Sequence, residues 1–325
     1  MIDFWNLRDI FINVMSENRK ESNFKISVVV PAYNEEENIP LLLENFDKMF
    51  RESKLEGEVL LVDDGSTDNT LKLAKDYEKK YSFLKALTNK THRGLTAALQ
   101  IGFKNANGDI YLFWSADLQY KPEDIPKLIQ KIKEGNDIVT GWRQGKYGMK
   151  TFVSFFFNFL SRLLFKVKVH DLNGVKAFRK EVLEDLPLRK DWHRYMVVMA
   201  ADKGFKMDEV KVPLYPRKYG KSKFGLFRIP IGVLDLFSVK FQVSFMRKPM
   251  LLFGSLGLIL VLLGVVAGLL AIYLRIIMHE GFRPILYLVI LLVLSGISLF
   301  ALGFLAETIV NLKQDIEDIK NELKR

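Results

Sequence analysis

From Lys25 to about Gly141, short β-branched runs alternate with amphipathic stretches of helical length. The apolar runs predict strands at 26–30, 59–62, 85–88, 110–114 and 138–140, and the amphipathic stretches predict helices over 36–52, 70–81, 95–105 and 122–134. This alternation is the pattern of βαβ units, so the fold class read here is α/β with a largely parallel sheet. No Gly-x-Gly-x-x-Gly follows the first strand and no Gly-Lys-Ser/Thr loop occurs. A dinucleotide fold and a P-loop NTPase are therefore unsupported.

The second half changes character. Residues 250–274 and 284–306 carry no charge, and each run exceeds the roughly 20 residues a helix needs to cross a bilayer. Two amphipathic segments accompany them. Residues 151–168 place Ser154, Asn158, Ser161 and Arg162 on one face of a Phe-rich helix, and residues 231–248 carry Asp235, Ser238 and Gln242 as a polar stripe. Both read as helices lying in the lipid interface. Gly264 and Gly268 form a small-xxx-small motif, and Ile309, Leu312, Ile316, Ile319 and Leu323 form a two-heptad seam. Together they predict a homo-oligomer.

The domains expected are an amphipathic segment at 1–24, a catalytic domain at 25–225, a juxtamembrane helix at 226–248, two spans within 249–307 and a coiled-coil-like tail at 308–325. Asp3, Asp9 and Glu17 interrupt the first stretch, which excludes a signal peptide. Lys240, Arg247 and Lys248 precede the first span and Lys313, Lys320, Lys324 and Arg325 follow the second, whereas the loop between carries Arg275 and Arg283. That bias predicts an integral membrane protein with its catalytic domain and both termini cytoplasmic.

Composition narrows the chemistry. The 325 residues contain no Cys, which excludes a disulfide framework and a thiolate metal site, and the four His show no ligand spacing. The net charge of +10 comes largely from 201–249, with eleven Lys and Arg against four Asp and Glu. A nucleic-acid binder would explain that charge, but neither the spans nor the acidic strand ends, so no nucleic-acid partner is expected.

Those acidic ends follow three strands: Pro31-Ala-Tyr33-Asn-Glu35-Glu36, Asp63-Asp64-Gly65-Ser66-Thr67-Asp68 and Ser115-Ala116-Asp117-Leu-Gln119. One such turn is usually a helix cap, as Ser66 or Asp68 would be. Three on one sheet edge point to a ligand, because crowded carboxylates repel unless a cation, a sugar hydroxyl or a base N–H sits between them. The composite suggests a nucleotide whose diphosphate is bridged by Mg²⁺ or Mn²⁺.

PAYNEEENI, VDDGSTDNT, SADLQYKPEDIPKLI, DLNGVKAFRK, HRY and PRKYGKSKFG, followed by two spans, resemble the GT-A polyprenyl-phosphate glycosyltransferases over residues 25–307. These include dolichyl-phosphate mannose or glucose synthases and bactoprenol counterparts. The resemblance implies a GT-A fold, a Rossmann-like mixed sheet, and metal-dependent hexosyl transfer from a UDP- or GDP-sugar to dolichyl or undecaprenyl phosphate, with inversion.

Carried onto this chain, the resemblance assigns Pro31, Tyr33, Glu35, Asp63, Asp64, Ala116 and Asp117 to the donor, with Asp63 or Asp64 holding base and ribose. Asp117 and Gln119 would hold the metal, and Asp117, Arg217 and Lys221 would be catalytic. Arg143, Lys150, Ser154, Asn158, Arg162, Arg194, Arg217 and Lys223 would receive the acceptor phosphate. The Gly-bearing loop with Arg217, Lys218, Lys221 and Lys223 would close over the diphosphate. Two positions depart from the commoner pattern: Ser115 replaces a first acid, and Leu214 stands where many relatives carry His.

The reaction expected is one in-line displacement. A phosphate monoester is largely ionised at neutral pH, its second pKa being near ~6, so no dedicated base is required. Asp171 and Asp191 read as caps or ion-pair partners, with acceptor contact or base chemistry as the other readings. A processive polysaccharide synthase is the alternative enzyme, although the chain lacks a Gln-x-x-Arg-Trp motif. A membrane-anchored pseudoenzyme or scaffold is the non-enzymatic alternative.

Overall fold

A computed structural model describes residues 24–145, 159–160, 162–165, 167, 169–184, 186, 192–219, 234, 236–241, 248–277 and 283–322. They fall into two compact units, one before and one after residue 230.

The first unit is built on a seven-stranded sheet. Its elements are β1 (Ile26–Ala32), α1 (Ile39–Ser53), β2 (Gly57–Asp63), α2 (Thr70–Glu78), β3 (Leu84–Thr88), α3 (Leu95–Asn105), β4 (Ile110–Phe113), α4 (Ile125–Lys133), β5 (Ile138–Gln144), β6 (Lys176–Arg179), α5 (Lys180–Glu184), α6 (Met196–Asp202) and β7 (Met207–Pro213). The strand order is β3-β2-β1-β4-β6-β5-β7. β1 pairs in parallel with β2 and β4, β2 with β3, and β5 with β7, while β6 runs antiparallel to β4 and β5. Six strands therefore share one direction, and their C-terminal ends share one edge, where open α/β sheets place their ligands.

The central strands are apolar on both faces because helices cover both sides. Val28, Val29, Val30, Leu60 and Leu61 are fully buried. Against Val28, Val30 and Leu61 pack Leu42, Leu43 and Phe46 of α1 and Leu128, Ile129 and Ile132 of α4.

The expected strands and helices of the first half all form, the helix at 95–105 with the expected bounds and the others with shifted ends. The first helix begins at Ile39 rather than residue 36, because the amides of Glu35 and Glu36 bond to Thr70 Oγ1 and Asp68 Oδ2 instead of entering a helix. Pro40 then suits the first turn, where no N–H is needed. Two strands add to those expected: β6 is inserted between β4 and β5, and β7 forms the edge beside β5. β6 hides two cations: Lys176 donates to Gly174 O (2.8 Å) and Arg179 to Ile132 O (2.9 Å). Such charged positions read as surface until tertiary partners are known.

The second unit contains α7 (Pro249–Ile276) and α8 (Arg283–Glu322), both long and apolar enough to cross a membrane. They pack antiparallel, closest where a Cβ at residue 257 would lie 2.5 Å from Gly296 O and one at 296 would lie 2.6 Å from Gly257 O. Small residues thus set the interhelical distance. Of the motif at 264 and 268, Gly264 abuts Val293 while Gly268 has only looser contact with Val289. Glu307 accepts the Met250 N–H (3.2 Å) and so caps the start of α7. On α8, Ile309, Leu312, Ile316 and Ile319 are exposed. Residues 1–23 of the expected segment at 1–24, all of 151–158, the stretch 220–233 and Leu323 lie outside the described residues.

Candidate active site

The loops after β1 and β2 are stitched together. Asn34 N–H donates to Ser66 Oγ (2.9 Å), Thr67 N–H to Asn34 Oδ1 (2.9 Å), and Asn69 N–H to Glu36 Oε2 (2.9 Å). Glu35 accepts from Asn38 Nδ2 (2.6 Å) within its own loop, and Asp68, one residue before the N-cap Asn69, accepts the N–H of Thr70 at the start of α2 (3.0 Å). Pro31 stays in β1, paired with Val62 of β2.

The adjacent aspartates are both buried and both engaged. Asp63 accepts from the Ser66 N–H (3.2 Å) and Thr88 Oγ1 (3.1 Å). Asp64 accepts from Asn89 Nδ2 (2.7 Å), Arg93 N–H (3.0 Å) and Gly94 N–H (2.7 Å), which pins the loop after β3. Gly65 makes this possible: its φ is +72°, and a Cβ there would lie 2.6 Å from His92 N. No other residue type fits that left-handed, crowded position without strain.

Tyr33, expected to offer a flat face, already stacks on His92, with ring centroids 4.1 Å apart. His92 Nδ1 in turn lies 2.8 Å from Asp64 Oδ2. His92 was not among the expected site residues. Only the pinned β3–α3 loop brings it to Tyr33, so spacing carried no signal for it.

Past β4 the chain turns sharply, and Leu118 takes φ +57°. Positive φ is costly for a branched residue and concentrates at functional sites. Here the turn brings Asp117 and Gln119 to one cation. Arg217 Nε lies 3.0 Å from Asp117 Oδ2 and 3.2 Å from Gln119 Oε1, and Arg217 Nη2 lies 2.9 Å from Asp117 Oδ2. Asp117 Oδ1 is held separately by Ser115 Oγ (2.6 Å) and the Gln119 N–H (3.2 Å). Ala116, between them, is buried.

Arg217 arrives through residues 213–217, which leave the sheet's edge strand and return across its top. Leu214 N–H donates to Gln144 O at the end of β5, Tyr215 N–H donates to Gln119 O beyond β4 (both 3.0 Å), and Lys121 Nζ lies 4.6 Å from the Tyr215 ring centroid. The two oxygens facing Arg217 are a carboxylate and an amide carbonyl, hard donors that suit Mg²⁺ or Mn²⁺, and the guanidinium marks the point where they accept positive charge. Among the described residues no three His, Asp or Glu side chains gather as a metal cage. Most of an ion's shell would have to come from phosphate and water.

Arg143, at the end of β5, forms a bidentate pair with buried Asp171, which also accepts the Asn173 N–H (2.9 Å). Burial of Asp171 favours its neutral form, but the Arg143 bonds and charge, with help from Asn173 and Lys176, outweigh it and hold the carboxyl below its ordinary value. Of the other expected acceptor residues, Arg194 lies on a one-turn 3-10 helix, Trp192–Tyr195. Arg162 lies on a helical stretch, with Nε buried and lacking a hydrogen-bond partner among the described residues. Lys150, Ser154, Asn158, Lys221, Lys223 and Asp191 lie outside the described residues.

Residues 27–186 match the family described as Glycosyl transferase family 2. The chain is 31% identical to a dodecaprenyl-phosphate galacturonate synthase of Rhizobium johnstonii, over 91% of this chain and 90% of that protein. It is 27% identical to an undecaprenyl-phosphate 4-deoxy-4-formamido-L-arabinose transferase of Proteus mirabilis, over 90% of both chains. With a dolichol-phosphate mannosyltransferase of Pyrococcus furiosus it shares 35% identity over 61% of this chain and 59% of that one. Among solved structures, glucosyl-3-phosphoglycerate synthase of Mycobacterium tuberculosis, in complex with Mn²⁺, UDP-glucose and phosphoglyceric acid, superposes with a TM-score of 0.55. That match has 20% identity and covers 69% of this chain and 82% of that one, a likeness of fold.

Proposed function

The chain belongs to glycosyl transferase family 2, and on that footing we propose that it transfers a sugar from a UDP- or GDP-sugar to a polyprenyl phosphate, with inversion at the anomeric carbon. The observation that carries this reading is the convergence of Asp117 and Gln119 on one cation at the sheet edge. It comes in a chain whose similarity to polyprenyl-phosphate sugar transferases spans nine-tenths of its length.

Pro31, Tyr33, Glu35, Asp63 and Asp64 would frame the nucleoside, with the knitted loops holding it at the ends of β1 and β2. Asp117 and Gln119 would hold Mg²⁺ or Mn²⁺, which when bound neutralises charge on the departing diphosphate. Arg217, with Lys218 beside it and Lys221 and Lys223 further on, adds cations to the same leaving group. Arg143, oriented by Asp171, would offer a planar fork to the acceptor phosphate, supported by Lys150, Ser154, Asn158, Arg162 and Arg194. Because that phosphate is already anionic, these side chains need to place it rather than deprotonate it. The Ser115 bond to Asp117 favours a working site over a decayed one, since it keeps the remaining carboxylate aimed.

The two apolar helices would anchor the enzyme in a membrane, with both chain ends on the cytoplasmic side. The exposed stripe of α8 would pair copies of the chain into a homo-oligomer.

The test is to offer detergent-purified protein a panel of UDP- and GDP-sugars, short polyprenyl phosphates and the corresponding free alcohols, detecting products by mass. A glycosylated lipid phosphate, formed only with a divalent cation, is the expected result. Glycosylation of alcohols alone would refute the acceptor assignment.

A further inference from the structure

Asp117 has four lone-pair directions, and the structure divides them two and two between local and distant partners. Oδ1 is committed to Ser115 Oγ and the Gln119 amide within the same turn. Oδ2 and Gln119 Oε1 are both given to Arg217. These are the two oxygens that a divalent cation would use. A guanidinium and a divalent cation cannot share them, because like charges at contact distance repel strongly in a partly buried site. Two protein oxygens also fall well short of the six or so that Mg²⁺ or Mn²⁺ requires.

Resting on the donor-site reading above, we propose that Arg217 is a stand-in cation. It occupies the Asp117–Gln119 site until the divalent ion arrives together with a nucleoside diphosphate, and then turns from these two oxygens to the diphosphate. Two features suit it for exchange. The Arg217 side chain is 37% exposed against 10% for Asp117, so leaving costs Arg217 little desolvation while the carboxylate stays fixed. The strap that carries it is anchored by backbone bonds from Leu214 and Tyr215, so the guanidinium can swing without the backbone leaving the sheet. Ser115 takes on a positioning role: its hydroxyl holds Oδ1 and leaves Oδ2 as the exchangeable oxygen. Loss of the first acid of the motif thereby makes binding of the ion depend more on the nucleotide.

The experiment measures Mn²⁺ binding to the full-length protein by electron paramagnetic resonance, without nucleotide and with saturating UDP or GDP, for wild type, R217A, R217Q and D117A. Without nucleotide, R217A and R217Q should bind Mn²⁺ about fivefold more tightly than wild type, the competing partly exposed ion pair being gone. UDP or GDP affinity measured with Mn²⁺ should move the other way, weakening about tenfold for lack of a charge-assisted bond. A residue that merely supported the fold would not move the two affinities in opposite directions. Equal or weaker nucleotide-free Mn²⁺ binding in both Arg217 variants would overturn the exchange while leaving the donor site intact, provided D117A loses Mn²⁺–nucleotide binding. If D117A binds Mn²⁺ and nucleotide as wild type does, the metal assignment falls and the exchange falls with it.

Discussion

The two halves of the sheet edge handle their carboxylates in opposite ways. On the β1–β3 side, Asp63 and Asp64 are buried and satisfied largely by backbone amides and a neighbouring Asn or Thr, all within about 30 residues. On the β4–β7 side, one oxygen of Asp117 is held by a side chain 100 residues away and partly exposed to water. Backbone donors cannot leave without unfolding a loop, whereas an exposed guanidinium can. Under the proposed function the first side would be permanent architecture and the second exchangeable, a division that would suit a pocket keeping its shape while an ion and a diphosphate come and go.

The contrast predicts that mutations on the two sides fail differently. The largest effect should be functional: Asp117→Ala should cut sugar transfer at least about a hundredfold, through lost ion and leaving-group stabilisation, with a nearly unchanged melting temperature. A parallel collapse in stability would erase the distinction. Asp64→Ala should instead cost about 2–4 kcal/mol of folding stability, because the buried Asn89 amide and the part-buried N–H groups of Arg93 and Gly94 lose their acceptor. Chemical denaturation measures this directly, and an unperturbed midpoint would show that the loop is not pinned as described.

Asp171 tests whether an ion pair on the exchangeable side can also be structural. Its pKa lies below the ordinary value in the folded protein, so its contribution is fully present above the unfolded-state pKa near ~4 and disappears as pH falls through the lower folded value. Asp171→Asn should therefore be less stable than wild type at pH 7 by about 1–3 kcal/mol. The gap should close in thermal melts taken progressively below about pH 4. A gap independent of pH would assign the loss to packing rather than charge. The smallest effect sharpens the comparison most: Ser115→Ala should raise the Mn²⁺ concentration for half-maximal transfer about fivefold while leaving stability alone. No change would remove the positioning role of its hydroxyl.

Much of this organisation could be read along the chain. The βαβ alternation, the three acidic turns and the two uncharged runs are local patterns, and the corresponding strands and helices form within a few residues of their expected places. The helix start at 36 fell early because Glu35 and Glu36 give their amides to residues beyond β2. β6 was illegible because a strand containing Lys176 and Arg179 looks solvent-exposed until the carbonyls that receive them are in place.

The sequence alone determined the class of fold, the sheet edge on which the acidic turns collect and the two helices fit for a membrane, because periodicity and motif order are properties of neighbouring residues. Only the tertiary structure decided which partner each site oxygen meets. It showed Asp64 consumed by its neighbours, Tyr33 covered by His92, Arg143 claimed by Asp171, and Arg217 seated on Asp117 and Gln119. Each of these depends on a loop returning from elsewhere on the sheet, and a lone pair left over after such folding is a property of the whole assembly.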